Sequence, residues 1–138
     1  MGDGSVANSS YSSSFGYNSK AQNTFSTALG TETHAEGYAS TTIGNQSWAT
    51  GDYSVAIGSH LNSDNSGSVG VTNGSQSVAV GFHSQSTGQS SIVLGGYSSA
   101  SGNYSVVLGN SSSASGQGAV AQGWYATAVS YTHLRAHE

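Results

Sequence analysis

The chain has 138 residues, of which 20 are Gly and 30 are Ser; only 6% are charged and 35% hydrophobic, against roughly 25% and 45–50% in ordinary soluble domains, so a helix-built globule is excluded. The absence of Cys removes disulfides, zinc–thiolate centres and thiol catalysis, and the absence of Pro removes polyproline and collagen-like readings. Lys20 and Arg135 are the only cations against six acids, a formal net charge of −4, which leaves nothing to neutralise a phosphate backbone and argues against nucleic acid as a partner.

A Ser- and Gly-rich chain without a period would be a disordered linker. This one has a period. Gly recurs at every fourteenth position, at Gly37 and Gly51 and again at Gly74, Gly88, Gly102 and Gly116. A second series, offset by half a period, reads Gly2, Gly16, Gly30, Gly44 and Gly58, then Gly81, Gly95, Gly109 and Gly123. Asn23 and Asn65 stand in the first series. Asn is the non-Gly residue that best tolerates positive φ, so this column is expected to need a left-handed backbone rather than smallness alone. Two turns per period imply two short strands per coil, the signature of a solenoid.

Each coil is numbered from its first-series residue as position 1. Residues 1–23 carry the pattern weakly, with Ser13 and Ser14 where later coils have an aliphatic residue and Ala. Residues 24–128 carry it well. Position 4 is Ser26, Ser40, Ser54, Ser77, Ser91, Ser105 and Ala119, and position 6 is mostly small, with Ala28, Thr42, Ala56, Ala79, Val93, Val107 and Ala121. Positions 5 and 7 alternate with these as Val55/Ile57, Val69/Val71, Val78/Val80, Ile92/Leu94 and Val106/Leu108, a period-2 strand bounded by Gly. Position 13 is Ala or Ser and position 11 mostly Ser or Thr. Positions 10, 12 and 14 are polar, among them Glu32, His34, Glu36, His60, Asp64, His83 and Gln85. The pattern breaks once: residues 65–73 supply only nine residues before Gly74, after Leu61 has put a large side chain in a small column, and this segment is expected to form a short coil or a protruding turn.

Alternate strand residues point to opposite faces, so small residues fill a thin roll and the polar face meets water. The 5/7 face is then left outside as a continuous apolar stripe from Phe15 to Val120. A soluble monomer does not leave such a stripe uncovered, and identical chains packed around an axis cover it most simply. The expected subunit interface is Val55, Ile57, Val69, Val71, Val78, Val80, Ile92, Leu94, Val106 and Leu108.

Residues 129–138 break from this composition, with two His and one Arg in ten, and resemble translated sequencing-adapter DNA. They are set aside from the repeat, and the natural chain is expected to continue past residue 128. No apolar run approaches the roughly 18–20 residues of a membrane span, and Met1-Gly2-Asp3-Gly4 does not open a leader, so the segment reads as soluble, with any export signal or anchor outside it.

Ser54-Val-Ala-Ile-Gly58, Ser77-Val-Ala-Val-Gly81, Ser91-Ile-Val-Leu-Gly95 and Ser105-Val-Val-Leu-Gly109 resemble the head repeats of YadA-like trimeric autotransporter adhesins. The resemblance implies an all-β fold: a left-handed parallel β-roll solenoid of 14-residue coils, associated as a homotrimer. It further implies a downstream stalk and a β-barrel anchor at a bacterial outer membrane, with host cell-surface or extracellular-matrix proteins as partners. Phage tail fibres carry similar repeats, so a structural spacer or fibre shaft is the alternative.

Ingredients for chemistry are few. Glu36 and Asp64 share position 14 two rungs apart, about 9–10 Å, within the range of an inverting carboxylate pair, but nothing argues a cleft around them and they read as solvated charges. His60 and His83 share position 10 across the break and read as surface residues, and the repeated Gly-Gly-x-Gly-x-Asp of calcium solenoids is absent. No catalytic residue, metal or cofactor is expected. Tyr38, Trp48, Tyr53, Phe82, Tyr97 and Tyr104, set among Ser, Gly and Asn, form the candidate ligand surface, since rigid rings with small polar neighbours suit adaptable recognition.

Overall fold

The structure is a computed structural model that describes residues 2–59, 71–72, 74–129 and 134–135. Two parallel nine-stranded sheets face each other across a narrow interior. The polar sheet contains Val6–Ala7, Lys20–Ala21, His34–Ala35, Trp48–Ala49, Val71–Thr72, Gln85–Ser86, Ser99–Ala100, Ser113–Ala114 and Thr127–Ala128. The stripe sheet contains Ser13–Phe15, Thr27–Thr31, Thr41–Asn45, Val55–Ser59, Val78–Val80, Ile92–Leu94, Val106–Leu108, Val120–Gln122 and Leu134–Arg135. The chain alternates between the sheets, so each coil contributes one strand to each. The result is an all-β parallel solenoid with no helix among the described residues.

Register follows the period of the sequence, with Ile92 opposite Val106 and Leu94 opposite Leu108. One coil differs. Val55 lies opposite Val78 and Ile57 opposite Val80, well beyond one period along the chain, while Val71 pairs with Trp48 on one side and Gln85 on the other. Two residues, Gln46 and Ser47, separate the strands of a regular coil, but eleven, 60–70, separate Ser59 from Val71. The nine extra residues therefore fall, in chain order, between the two strands of the coil that starts at Gly51; the segment expected as a short coil or protruding turn, residues 65–73, lies outside the described residues except for Val71–Thr72. The pairing corrects the expectation for Val71, which occupies the polar-sheet register of Trp48 and not the apolar stripe. Val69, expected beside it, lies outside the described residues, as do His60, Leu61 and Asp64.

The interior is built from positions 4, 6, 11 and 13. Ala21, Ala28, Ala35, Ala49, Ala100, Ala114 and Ala121 are fully buried, and Val93 and Val107 are the largest side chains enclosed. So short a coil circles too little volume for anything bigger. Ser at position 4 has a further reason. A buried hydroxyl is stabilised by an acceptor, and in most coils the turn carbonyl three residues back supplies it, Ser40 being the position-4 hydroxyl left without one. Ser54 donates to the Gly51 carbonyl at 2.6 Å, Ser91 to Gly88 at 2.6 Å and Ser105 to Gly102 at 2.6 Å.

The two Gly columns have different causes, and the left-handed requirement falls on the other one. The second series is left-handed from Gly16 on, with Gly44 at φ 128° and Gly95 at φ 142°, and a Cβ on Gly44 would sit 1.8 Å from the Gly58 carbonyl oxygen. At Gly37, Gly51, Gly74, Gly88 and Gly102 φ is not left-handed, and Gly is required by closeness, a Cβ on Gly37 meeting the Gly51 oxygen at 2.1 Å. Where Ser9 and Asn23 occupy that position, the backbone N–H turns to the Ser12 or Ser26 hydroxyl, whereas Gly37 and Gly88 donate to the carbonyls of Ala49 and Ala100, at position 13 of the same coil.

Candidate recognition surfaces

Three exterior surfaces follow from this frame. The first is the apolar stripe. Ile57, Ile92, Leu94 and Leu108 are 36–44% exposed, and Val55, Val78, Val80 and Val106 are half-buried beside them. Phe15, Leu29 and Ile43 continue the line toward the N-terminal coils.

The second surface is the edge at positions 2 and 3. Tyr11 stacks on Phe25 at 5.2 Å, Phe25 meets Tyr38 edge-on at 5.7 Å, and Tyr38 meets Tyr53 at 5.4 Å, one aromatic ladder across four coils. Tyr104 is on the same edge but without a neighbouring ring in this ladder. Tyr11, Phe25, Tyr53 and Tyr104 adopt left-handed φ of 56–60° without being Gly. Such a conformation costs about 1–2 kcal/mol per residue. It aims the N–H at the preceding coil, Tyr53 donating to the Tyr38 carbonyl at 2.7 Å and Tyr104 to Gln89 at 2.8 Å, and the ring contacts add to that return.

The third surface is the opposite edge, at positions 9 and 10. Phe82, His83 and Tyr97 form a compact trio with centroids 4.6–5.2 Å apart, and Trp124 stacks on Tyr125 at 5.2 Å. The six candidate ligand residues are therefore not brought together. Tyr38, Tyr53 and Tyr104 lie on one edge, Phe82 and Tyr97 on the other, and Trp48 on the outer face of the polar sheet. Trp124 and Tyr125, 72% and 69% exposed, belong with Phe82 and Tyr97; their positions just after a second-series Gly were the signal for this.

On the polar sheet Trp48 stacks on His34 at 4.9 Å, a pairing implied by their shared position 12 in successive coils. Burial against this ring, with Lys20 adding to it, lowers the imidazole below its usual value, while the Glu36 carboxylate 3.7 Å away and Glu32 act in the opposite sense. Glu32 also accepts the Gln46 side-chain amide at 2.6 Å. Glu36 thus has His34 as its partner, and Asp64, its expected carboxylate companion, lies outside the described residues. Among the described residues there is no group of three or more His, Asp or Glu able to hold a metal, and no helix long and apolar enough to cross a membrane.

A family model described as the YadA head domain repeat matches residues 7–33, 35–60 and 86–112. None of the curated proteins matches the chain.

Proposed function

The chain belongs to the YadA head domain repeat family, an adhesin-type structural repeat of surface-exposed proteins, and from that premise we propose that it is the head of a trimeric surface adhesin that binds host cells or extracellular-matrix molecules. The head is displayed at a bacterial outer membrane, in a left-handed roll, with no catalytic role of its own. The observation that carries the reading is the apolar stripe: from Val55 to Leu108 each coil presents two aliphatic side chains outward, and two further copies of the same chain would cover them. Val55, Ile57, Val78, Val80, Ile92, Leu94, Val106 and Leu108 form the interface in this proposal.

A trimer repeats each exterior feature three times, and low charge leaves weak, mostly uncharged contacts that gain by avidity when the target also repeats. Binding then survives moderate salt, because there are few ionic contacts to screen. The test is a solid-phase assay of the chain, trimerised by a heterologous coiled coil, against collagen, fibronectin, laminin and epithelial cells at low and high salt. Binding that persists in salt and drops steeply for monomers supports the reading. A folded trimer that binds none of them would leave the spacer or fibre-shaft role instead.

A further inference from the structure

In the last four coils the position-9 and position-10 columns are rich in rings except at one coil. Position 9 runs Phe82, Gly96, Asn110, Trp124, and position 10 runs His83, Tyr97, Ser111, Tyr125. Tyr97, Ser111 and Tyr125 share the same left-handed φ, 53°, 54° and 54°, so their side chains leave the backbone in parallel on successive rungs. The backbone holds them in register, Ser111 donating its N–H to the Gly96 carbonyl at 2.9 Å and Tyr125 to Asn110 at 3.1 Å. Tyr97 stacks nearly parallel on His83, at 10° and 5.2 Å, and Phe82 touches it edge-on. One face of Tyr97 is thereby used, and the other looks along the column to the small Ser111. Beyond Ser111 stand Tyr125 and its stacked neighbour Trp124.

Adjacent parallel strands are about 4.8 Å apart, so Tyr97 and Tyr125 are about 9–10 Å apart along the column. A ring placed midway would lie about 4.5–5 Å from each, inside the stacking range. The floor between them is polar, Ser111 donating to the Asn110 side-chain oxygen at 2.9 Å, while the nitrogen of that exposed amide lies over Gly96, where a Cβ would meet it at 3.1 Å. No Asp, Glu, Lys or Arg occurs in residues 65–128, so nothing in these coils selects for a charged ligand. Aromatic walls with an amide and a hydroxyl between them match one pyranose ring, whose C–H faces stack while its equatorial hydroxyls meet the floor.

We propose that Tyr97, Asn110, Ser111 and Tyr125, with Trp124 stacked on Tyr125, form a slot for one neutral hexose unit of a glycan. This deepens the adhesin reading by naming the chemistry of one ligand.

The test is Trp124 fluorescence and saturation-transfer NMR of the full chain, titrated with lactose and maltotriose, with sialyllactose as the anionic and N-acetyl-tyrosinamide as the aromatic comparison. The expected result is saturable binding of a neutral saccharide in the millimolar range. Tyr97→Ala or Tyr125→Ala should weaken it about three- to tenfold, the loss of one ring stack. Ser111→Tyr completes the ring column in a conformation that Tyr97 and Tyr125 already adopt, so it should keep the fold and abolish binding. Gln22→Ala, an exposed side chain in the N-terminal coils away from this column, should change nothing. No saccharide response, a response to the aromatic amide alone, or undiminished binding in folded Ser111→Tyr and Tyr97→Ala would overturn the proposal. Cell adhesion measured in parallel separates the two readings: adhesion that persists in Ser111→Tyr removes the slot from adhesion but leaves the adhesin, whereas the titration decides the slot even where no adhesion occurs.

Discussion

Replacing Leu94 by Ala probes the apolar stripe without touching the interior, because its neighbour Val93, and not Leu94, is the enclosed residue. Leu94 is 44% exposed in the single chain, so that fraction remains to be covered by a partner. Full burial of a Leu side chain contributes about 1.5–3 kcal/mol, so the uncovered part contributes about 0.7–1.3 kcal/mol per chain and, taken three times around an axis, about 2–4 kcal/mol per trimer. At 1.4 kcal/mol per decade the trimer association constant falls about 30- to 800-fold. The midpoint concentration of assembly goes as the square root of that constant and rises about 5- to 30-fold. Sedimentation velocity over a dilution series measures the midpoint, and the unchanged far-UV spectrum of a folded solenoid is the control. Tyr104→Ala, which trims an edge residue of comparable exposure, should leave the midpoint where it is. A chain that sediments as a monomer at every concentration, or a Leu94→Ala variant that assembles like its parent, would refute the assignment of this face.

Gly44→Asn combines a left-handed φ of 128° with a Cβ 1.8 Å from the next coil's carbonyl oxygen and should cost at least about 3 kcal/mol, read as a large drop in melting temperature. Gly37→Asn should cost clearly less, because Asn23 already holds the equivalent position by redirecting its N–H to the Ser26 hydroxyl; equal losses in the two variants would contradict the separate causes assigned to the two columns. His34 titrates below its ordinary value when folded, so the unfolded chain takes up the proton first. Its contribution to stability is therefore complete above the ordinary histidine value near 6.5 and is lost as pH falls toward the lower folded value. NMR titration of the imidazole, with Trp48 fluorescence alongside, checks the direction, and a midpoint above the unfolded one would reverse it.

How much of this was legible in the sequence depends on whether a feature repeats. The interior columns, the stripe from Val55 to Ile57 and from Val78 to Leu108, and the strand–turn rhythm recur with every coil, and repetition exposes them in a single chain. Val71 was misplaced because Val69-Gly70-Val71 imitates the local alternation of a stripe strand, while its true register is set by the strands on either side, Trp48–Ala49 and Gln85–Ser86. No local pattern carries that information. The Gly columns were legible as glycine but not as conformation, since a left-handed φ and a close carbonyl both demand the same residue. Asn23 pointed to φ, yet the turn it joins is one where only space is short.

The positions that stacking leaves free are the ones able to vary in function. Positions 4, 6, 11 and 13 must be small, 5 and 7 make the stripe, and 1 and 8 are held by the turns. Positions 2, 3, 9 and 10 form the corners, where a side chain meets other corner side chains of its own rung or of a neighbouring one. The chain uses that freedom unevenly. The first four coils carry the long ring ladder Tyr11, Phe25, Tyr38 and Tyr53 together with Glu32, His34, Glu36 and Asp52, while the last four carry no acid or base except His83 and interrupt their rings at Ser111. An uninterrupted ladder spends ring faces on neighbouring rings and serves stability. An interrupted one leaves faces open, so recognition is to be sought at the gaps in a ladder, not along its length.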